Sequence, residues 1–390
     1  LTYRVVAALG RFPLRYQQLV SAGLDTVDRW AALDGMIASA PRFDLAQFVY
    51  GDELFHRGAL AGKARHEASD HFLRMIDLRP RFAPAREHLA WVAIAEGDSA
   101  TANTALSAYR NLGARNDPQP VVTLALLDIG YAWRFGPADL AAALTQATLD
   151  NQMIAAFPEL PLGARYLSVF DAPAGVLWLG EHFERWQAKP LLRAPGIVAQ
   201  AVALTALGRV DSARATLARL RGDNPDPEYA LNCGEFEAAL VLFDSLDAAA
   251  ALPRLESLLG YLTREGNGTD TQRRRAAWML TLVARRAGAP ARTRHWGALV
   301  TGESGRRPFA TLLQADAIAA AAPDSALRLT GPLLALDSAG AAGDPFFRSA
   351  LHLLRAQWQA CAGDTAAAIR SLLWHENYDL VGHFEGVMQA

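Results

Sequence analysis

Histidine and carboxylate residues cluster near residue 66, and their spacing decides whether they could hold a metal ion. The segment HEASDH begins at His66 and ends at His71, and it nearly matches the helical motif in which two histidines bind zinc. Its histidines are five residues apart, whereas a helix turns residues four apart toward one ion. His56 and Glu53 lie nearby, but nothing in the spacing supplies a third ligand. We therefore expect a solvated helix face and predict no metal, cofactor or catalytic residue.

The rest of the chain offers little other chemistry. His375, Glu376 and His383 form a loose group that we expect to cap the final helix. The segment GESGRR, residues 302–307, predicts a turn rather than a phosphate-binding loop. No nucleophile elbow and no paired-carboxylate spacing stands out. These patterns favour a noncatalytic protein.

Charge is distributed unevenly between residues 223 and 307. Seven acidic residues and no Lys or Arg lie between Asp223 and Asp247, whereas nine arginines and one acid, Glu303, lie between Arg273 and Arg307. Residues 228–243 and 271–286 are predicted as consecutive first helices of neighbouring hairpins. Two interpretations remain, a pair of solvated faces and a groove with opposite walls that binds a partner. The candidate partner-binding residues are Arg273, Arg274, Arg275, Arg285, Arg286, Glu235 and Glu237.

Composition limits the class of protein. The 390 residues carry a formal net charge of −2 and are 51% hydrophobic, so the chain can bury a large core. The near balance of charge argues against a nucleic-acid partner, and no apolar run is long enough for membrane insertion. Two cysteines, Cys233 and Cys361, predict no disulfide framework and fit the cytoplasm. The chain begins with Leu1, so we expect a fragment of a longer protein.

A short motif occurs twice and indicates which elements position these residues. EGDSATA, at residues 96–102, is echoed by AGDTAAA at residues 362–368. Its glycine suits the left-handed residue that ends one helix, and its aspartate suits the start of the next. Small residues recur five positions after such joints, at intervals that fit one helix hairpin each. The aligned residues are Ala68, Ala102, Ala141, Gly175, Ala213, Ala250, Thr293, Ala326 and Ala368.

The pattern predicts an all-α protein, an α-solenoid of about nine antiparallel helix hairpins. Residues 1–150 form the first array, residues 151–195 an irregular connector containing Pro158, Pro161, Pro173, Pro190 and Pro195, and residues 196–390 a second array continuous with the first. Residues 83–116 resemble a tetratricopeptide repeat (TPR), with Leu89, Ala90, Gly97, Ala102 and Leu106 at its packing positions. Residues 58–80 resemble another, through Ala68, Phe72 and Pro80.

The resemblance implies a TPR-like superhelix that binds peptides or proteins along a groove. The layout is also similar to helical C-terminal regions of bacterial signalling proteins, which include serine/threonine kinases and transcriptional activators. We expect a noncatalytic interaction scaffold whose partner is a protein or peptide segment that is acidic or phosphorylated. Two alternatives remain open. One is a ligand-sensing arm of a kinase or transcriptional regulator, and the other is a helical toroid-type enzyme domain acting on sugars or lipids.

Overall fold

The protein is described here by a computed structural model. It describes residues 13–24, 29–57, 63–112, 118–151, 167, 170–187, 192–223, 227–242, 246–264, 267–301, 307–338 and 345–372. Within these ranges the chain is all-α, with 19 α-helices, one short 3-10 helix and no strand. The prediction of an all-α protein is confirmed over these ranges.

The helices divide into two compact units. The first contains residues 1–135 and 332–343, and the second contains residues 136–331 and 344–390. The helices of the first unit are α1 (Leu14–Leu24), α2 (Arg29–Ser39), α3 (Asp44–Arg57), α4 (Glu67–Leu78), α5 (Ala83–Ala95), α6 (Ser99–Leu112) and α7 (Pro118–Phe135). Neighbouring helices pack against each other, and α3 also contacts α5 across the intervening helix.

The second unit contains most of the remaining helices. Its first half comprises α8 (Ala138–Asp150), α9 (Pro173–Arg185), α10 (Arg193–Ala206), α11 (Val210–Asp223), α12 (Pro227–Leu242) and α13 (Ala248–Leu259), which the 3-10 helix Gly260–Thr263 follows. Its second half comprises α14 (Asp270–Arg286), α15 (Pro290–Thr301), α16 (Arg307–Ala319), α17 (Pro323–Ser338), α18 (Pro345–Cys361) and α19 (Thr365–Leu372). Helix α17 spans the division, since residues 332–338 group with the first unit. The predicted division at residue 150 falls at the end of α8, and most of residues 151–166 lie outside the described ranges.

The glycine joints have the predicted backbone conformation. Gly97 has a φ of 78°, in the left-handed region that an L side chain rarely adopts. Its amide donates to the carbonyl of Ile94 and the amide of Asp98 donates to that of Ala93, which is the Schellman arrangement that satisfies the last carbonyls of a helix. The same pair of bonds and a positive φ occur at Gly208, Gly288 and Gly363.

The aspartates of the repeated motif start the following helices. One Asp98 carboxylate oxygen accepts a 3.0 Å hydrogen bond from the amide of Thr101, and Asp364 accepts one of 2.9 Å from Ala367. These amides have no partner inside their helices, so each carboxylate satisfies a donor that the first turn leaves open. The prediction for both copies of the motif is confirmed.

The aligned small residues are mostly buried between the helices of a hairpin. Ala102, Ala141 and Ala213 are fully buried. Two of the aligned positions differ, since Ala250 is exposed and Thr293 is partly buried. The prediction for Ala250 is wrong by one residue, because Asp247 caps α13 directly and places the fully buried Ala251 at the equivalent position. The remaining buried members of the set are Ala68, Gly175, Ala326 and Ala368.

Helices α12 and α14 form the interior of the second unit. They match the predicted helices at 228–243 and 271–286 within one residue at each end, and they pack against each other across α13. Nine consecutive residues of α14, from Ala276 to Ala284, are buried on all sides of the helix. A helix buried all round belongs to a core rather than to an open groove. Among the helices of the described ranges, none combines the length and apolar character that a bilayer crossing requires.

Candidate functional site

The arginines at the start of α14 remain near the surface. Arg273 pairs with Asp270 one turn earlier, and Arg274 donates a 3.3 Å hydrogen bond from Nη2 to the hydroxyl of Thr271. Arg273, Arg274 and Arg275 are all partly buried. Because residues 276–284 are buried, the three arginines lie in the first two turns of a helix that the core holds in place.

The arginines at the end of α14 are used inside the protein. Arg285 donates from Nη1 to one carboxylate oxygen of Asp316 at 2.8 Å, and Arg286 donates from Nη2 to the other at 2.7 Å. Arg285 Nη1 also donates to the carbonyl of Leu313 at 2.8 Å. Asp316 lies on α16, and only 1% of its side chain is exposed. Arg285 and Arg286 therefore pair with a carboxylate of α16 and not with the described residues of the acidic stretch at 223–247.

The two candidate glutamates lie in the interior. Glu235 is 7% exposed and Glu237 is 5% exposed, so neither carboxylate contributes to an exposed groove wall. Arg254, on α13, brings a positive charge to Glu237, since its Nε lies 3.8 Å from Glu237 Oε2. Residues two apart on a helix point to different sides, so the pair does not converge on one site. Asp244, another acidic residue of the same stretch, lies outside the described residues.

The HEASDH segment is not a single histidine site. His66 is exposed just before α4, whereas His71 is partly buried within the helix. His71 Nδ1 lies 2.8 Å from Gln47 Oε1, and its ring packs edge-on against Tyr50. Burial lowers the pKa of His71. The other histidine group, formed by His375, Glu376 and His383, lies outside the described residues.

A different histidine group comes together in the first unit. Asp52 and His56 lie one turn apart on α3, and His88 lies on α5. The Asp52 Oδ1 atom is 3.3 Å from His56 Nε2 and 3.1 Å from His88 Nε2. Donor atoms of the three residues all lie within 4.8 Å of one another. One carboxylate oxygen is thus shared by two imidazole nitrogens.

Both members of the Asp52–His88 contact have shifted pKa values. Burial acts to raise the pKa of Asp52, but the hydrogen bonds and positive charges of His56 and His88 together outweigh burial and hold that pKa below its usual range. Burial acts to lower the pKa of His88, but the hydrogen bond to Asp52, the negative charges of Asp52 and Glu87, and the hydrogen bond to the Pro84 carbonyl together outweigh burial and raise the pKa. The contact therefore favours a carboxylate facing a charged imidazole.

Aromatic rings surround the imidazoles. Phe48 and Phe72 have ring centroids 5.2 and 5.4 Å from that of His88, and Phe55 lies 4.8 Å from His56. The side chains of His56 and His88 are 15% and 19% exposed, whereas that of Asp52 is 33% exposed. The group is therefore apolar on its inner side and open to solvent on the carboxylate side.

The sequence contained one local sign of this group. Asp52 and His56 are four residues apart, the separation that places two side chains on one helix face. His88 gives no such sign, because it lies two helices later and reaches α3 only when the hairpins stack. Comparison with protein-family models gives no match, and comparison with curated protein sequences gives no significant relative.

Proposed function

We propose that the protein is a noncatalytic interaction scaffold, a TPR-like α-solenoid that binds an acidic or phosphorylated protein or peptide segment. The repeated glycine joints and the buried alanines that follow them support the repeat architecture. A fold of this kind supports a function only through its surface residues. We further propose that the chain belongs to a larger bacterial signalling or regulatory protein of the cytoplasm. Cys233, which is buried, and Cys361, which is exposed, are not joined in a disulfide and suit a reducing environment.

The observation that carries this proposal is the placement of Arg273 and Arg274. Both residues are partly exposed near the start of α14, and the buried residues from Ala276 to Ala284 hold the helix in place. A guanidinium group matches a carboxylate or phosphate with two parallel hydrogen bonds. Because the scaffold is ordered before binding, the entropy cost of association falls mainly on the partner segment.

The neighbouring charges define the size of the site. Asp270 pairs with Arg273, so an anionic partner competes with an exposed carboxylate that can turn toward solvent. Arg285 and Arg286 are already bound to the buried Asp316 and are excluded from the site. We therefore assign partner binding to the first two turns of α14 alone.

An array of acidic and phosphorylated peptides, probed with the full chain, tests this function. The variant Arg273→Gln/Arg274→Gln should bind about tenfold more weakly or worse, since one charge-assisted hydrogen bond contributes about 1.5 kcal/mol. The matched control, Arg292→Gln/Arg294→Gln, removes the same charge from α15. Binding by the wild type should also weaken as salt rises, because exposed charges are screened. Equal binding by both variants, or binding to none of the peptides, would refute the proposal.

A further inference from the structure

The Asp52–His56–His88 group has the donor atoms of a metal site. Two imidazole nitrogens and one carboxylate oxygen form a ligand set that suits zinc and the neighbouring divalent transition metals. Bonds of about 2.1 Å in a tetrahedron place neighbouring ligand atoms about 3.4 Å apart. The two measured separations, 3.3 and 3.1 Å, are close to that value. The third separation, between the two histidine nitrogens, is at most 4.8 Å.

The surroundings of His88 provide an independent indication. Its Nδ1 lies 2.8 Å from the carbonyl oxygen of Pro84, and its Nε2 faces Asp52. A carbonyl and a carboxylate both accept hydrogen bonds, so the ring needs a proton or another cation at each nitrogen. Metal-binding histidines commonly donate their second ring N–H to a carbonyl, which orients the ring and directs the other nitrogen toward the ion. Pro84 occupies that supporting position here.

We propose that Asp52, His56 and His88 bind a divalent transition-metal ion of the zinc class. The proposal revises the sequence-based expectation of no metal, and it does not depend on the peptide-binding function, which lies in the other unit. The ion would take the place of the proton between Asp52 and His88, and the aromatic rings of Phe48, Phe55 and Phe72 would exclude water from its inner side. Three protein ligands leave a coordination position on the solvent side for water or an external donor.

Titration of the chelator-treated full chain with Co²⁺ and Zn²⁺ tests the site. Visible absorption bands report the coordination of Co²⁺, and calorimetry gives the stoichiometry and affinity for Zn²⁺. We expect one equivalent of either metal per chain. The variants Asp52→Asn and His56→Gln should each weaken binding by at least about tenfold, since even the loss of an outer-shell partner costs that much.

His66→Ala is the matched control, because His66 is exposed ten residues from His56 and outside the group. It should bind both metals as the wild type does, and circular dichroism should show native helicity in all three variants. The wild-type titration is informative even where a variant fails to fold. Absence of Co²⁺ bands and of Zn²⁺ heat in the wild type would overturn the proposal. The same conclusion would follow if Asp52→Asn and His56→Gln, both folded, bound as tightly as His66→Ala.

Discussion

Two polar groups, one in each compact unit, lie between the first helices of successive hairpins, and they satisfy their charges differently. Between α14 and α16, each carboxylate oxygen of Asp316 has its own arginine donor, and Arg285 also reaches a carbonyl. Between α3 and α5, a single oxygen of Asp52 faces two imidazoles. In the first group, arginines of the protein supply a hydrogen bond to each carboxylate oxygen. In the second group, the distances between the polar atoms match those between ligands around an ion.

The difference shows how the same helix stacking can serve stability in one place and binding in another. Arginine carries its charge permanently and cannot coordinate a metal, so the Asp316 group can only be an internal ion pair. Histidine offers a lone pair once a proton leaves, so the Asp52 group can exchange that proton for a metal. Whether arginine or histidine faces the carboxylate therefore decides whether the group can only stabilise the fold or can also bind a metal.

The largest expected effect is on the stability contributed by Asp316. Asp316→Ala should lower the free energy of unfolding by about 3 kcal/mol, because it leaves two partly buried guanidinium groups without their partner. Urea unfolding followed by circular dichroism measures this loss. The control Asp211→Ala removes a fully exposed carboxylate that lies 3.7 Å from Arg214, and it should be nearly silent. If the two substitutions lowered the free energy of unfolding equally, the Asp316 group would not be an ion pair that stabilises the fold.

Both units contain small residues buried between the helices of their hairpins, and larger side chains at these positions test whether the packing is the same. Ala102→Phe in the first unit and Ala213→Phe in the second should each cost roughly 1 to 3 kcal/mol, because both alanines are fully buried. Arg110→Phe is the control. Arg110 lies at the surface and pairs with Asp128 at 2.6 Å, so its loss should cost at most about 1 kcal/mol. A similar fall in melting temperature for all three variants would remove the basis of the repeat alignment.

The smallest effects are expected at the glycine joints. Gly97→Ala and Gly288→Ala should each destabilise the protein by about 1 kcal/mol, because φ values of 78° and 62° are strained for alanine. Gly35 lies inside α2 with nothing near its added methyl group, so Gly35→Ala should stabilise the protein by up to about 1 kcal/mol. Denaturant titration distinguishes the opposite signs. If Gly97→Ala or Gly288→Ala stabilised the protein, these glycines would not end their helices in the left-handed conformation that the joints share.

The sequence predicted the features that local physics determines. Gly97 with Asp98, and Gly363 with Asp364, were placed correctly because the end of one helix and the start of the next depend on a few adjacent residues. The alignment was wrong at Ala250 because Asp247 starts α13 without a preceding glycine joint, which shifts the register by one residue.

The two polar groups could not be predicted because they depend on packing between distant segments. Asp316 gives no sign in sequence that it will meet Arg285 and Arg286, about 30 residues earlier. The burial of Glu235 and Glu237 was also missed, since a run of acidic residues normally indicates a solvated face. Asp52 and His56 could be paired by their helical spacing, but the third donor, His88, required the stacking of two hairpins.

Diffraction from crystals grown with zinc, measured on both sides of the zinc absorption edge, tests the central contrast most directly. We expect one anomalous peak in the first unit, about 2.1 Å from Asp52 Oδ1, His56 Nε2 and His88 Nε2, and no peak beside Asp316. Density that shows the same three side chains in direct contact, with no anomalous peak between them, would contradict it. The Asp52 group would then be an internal hydrogen-bonded cluster of the same kind as the Asp316 group.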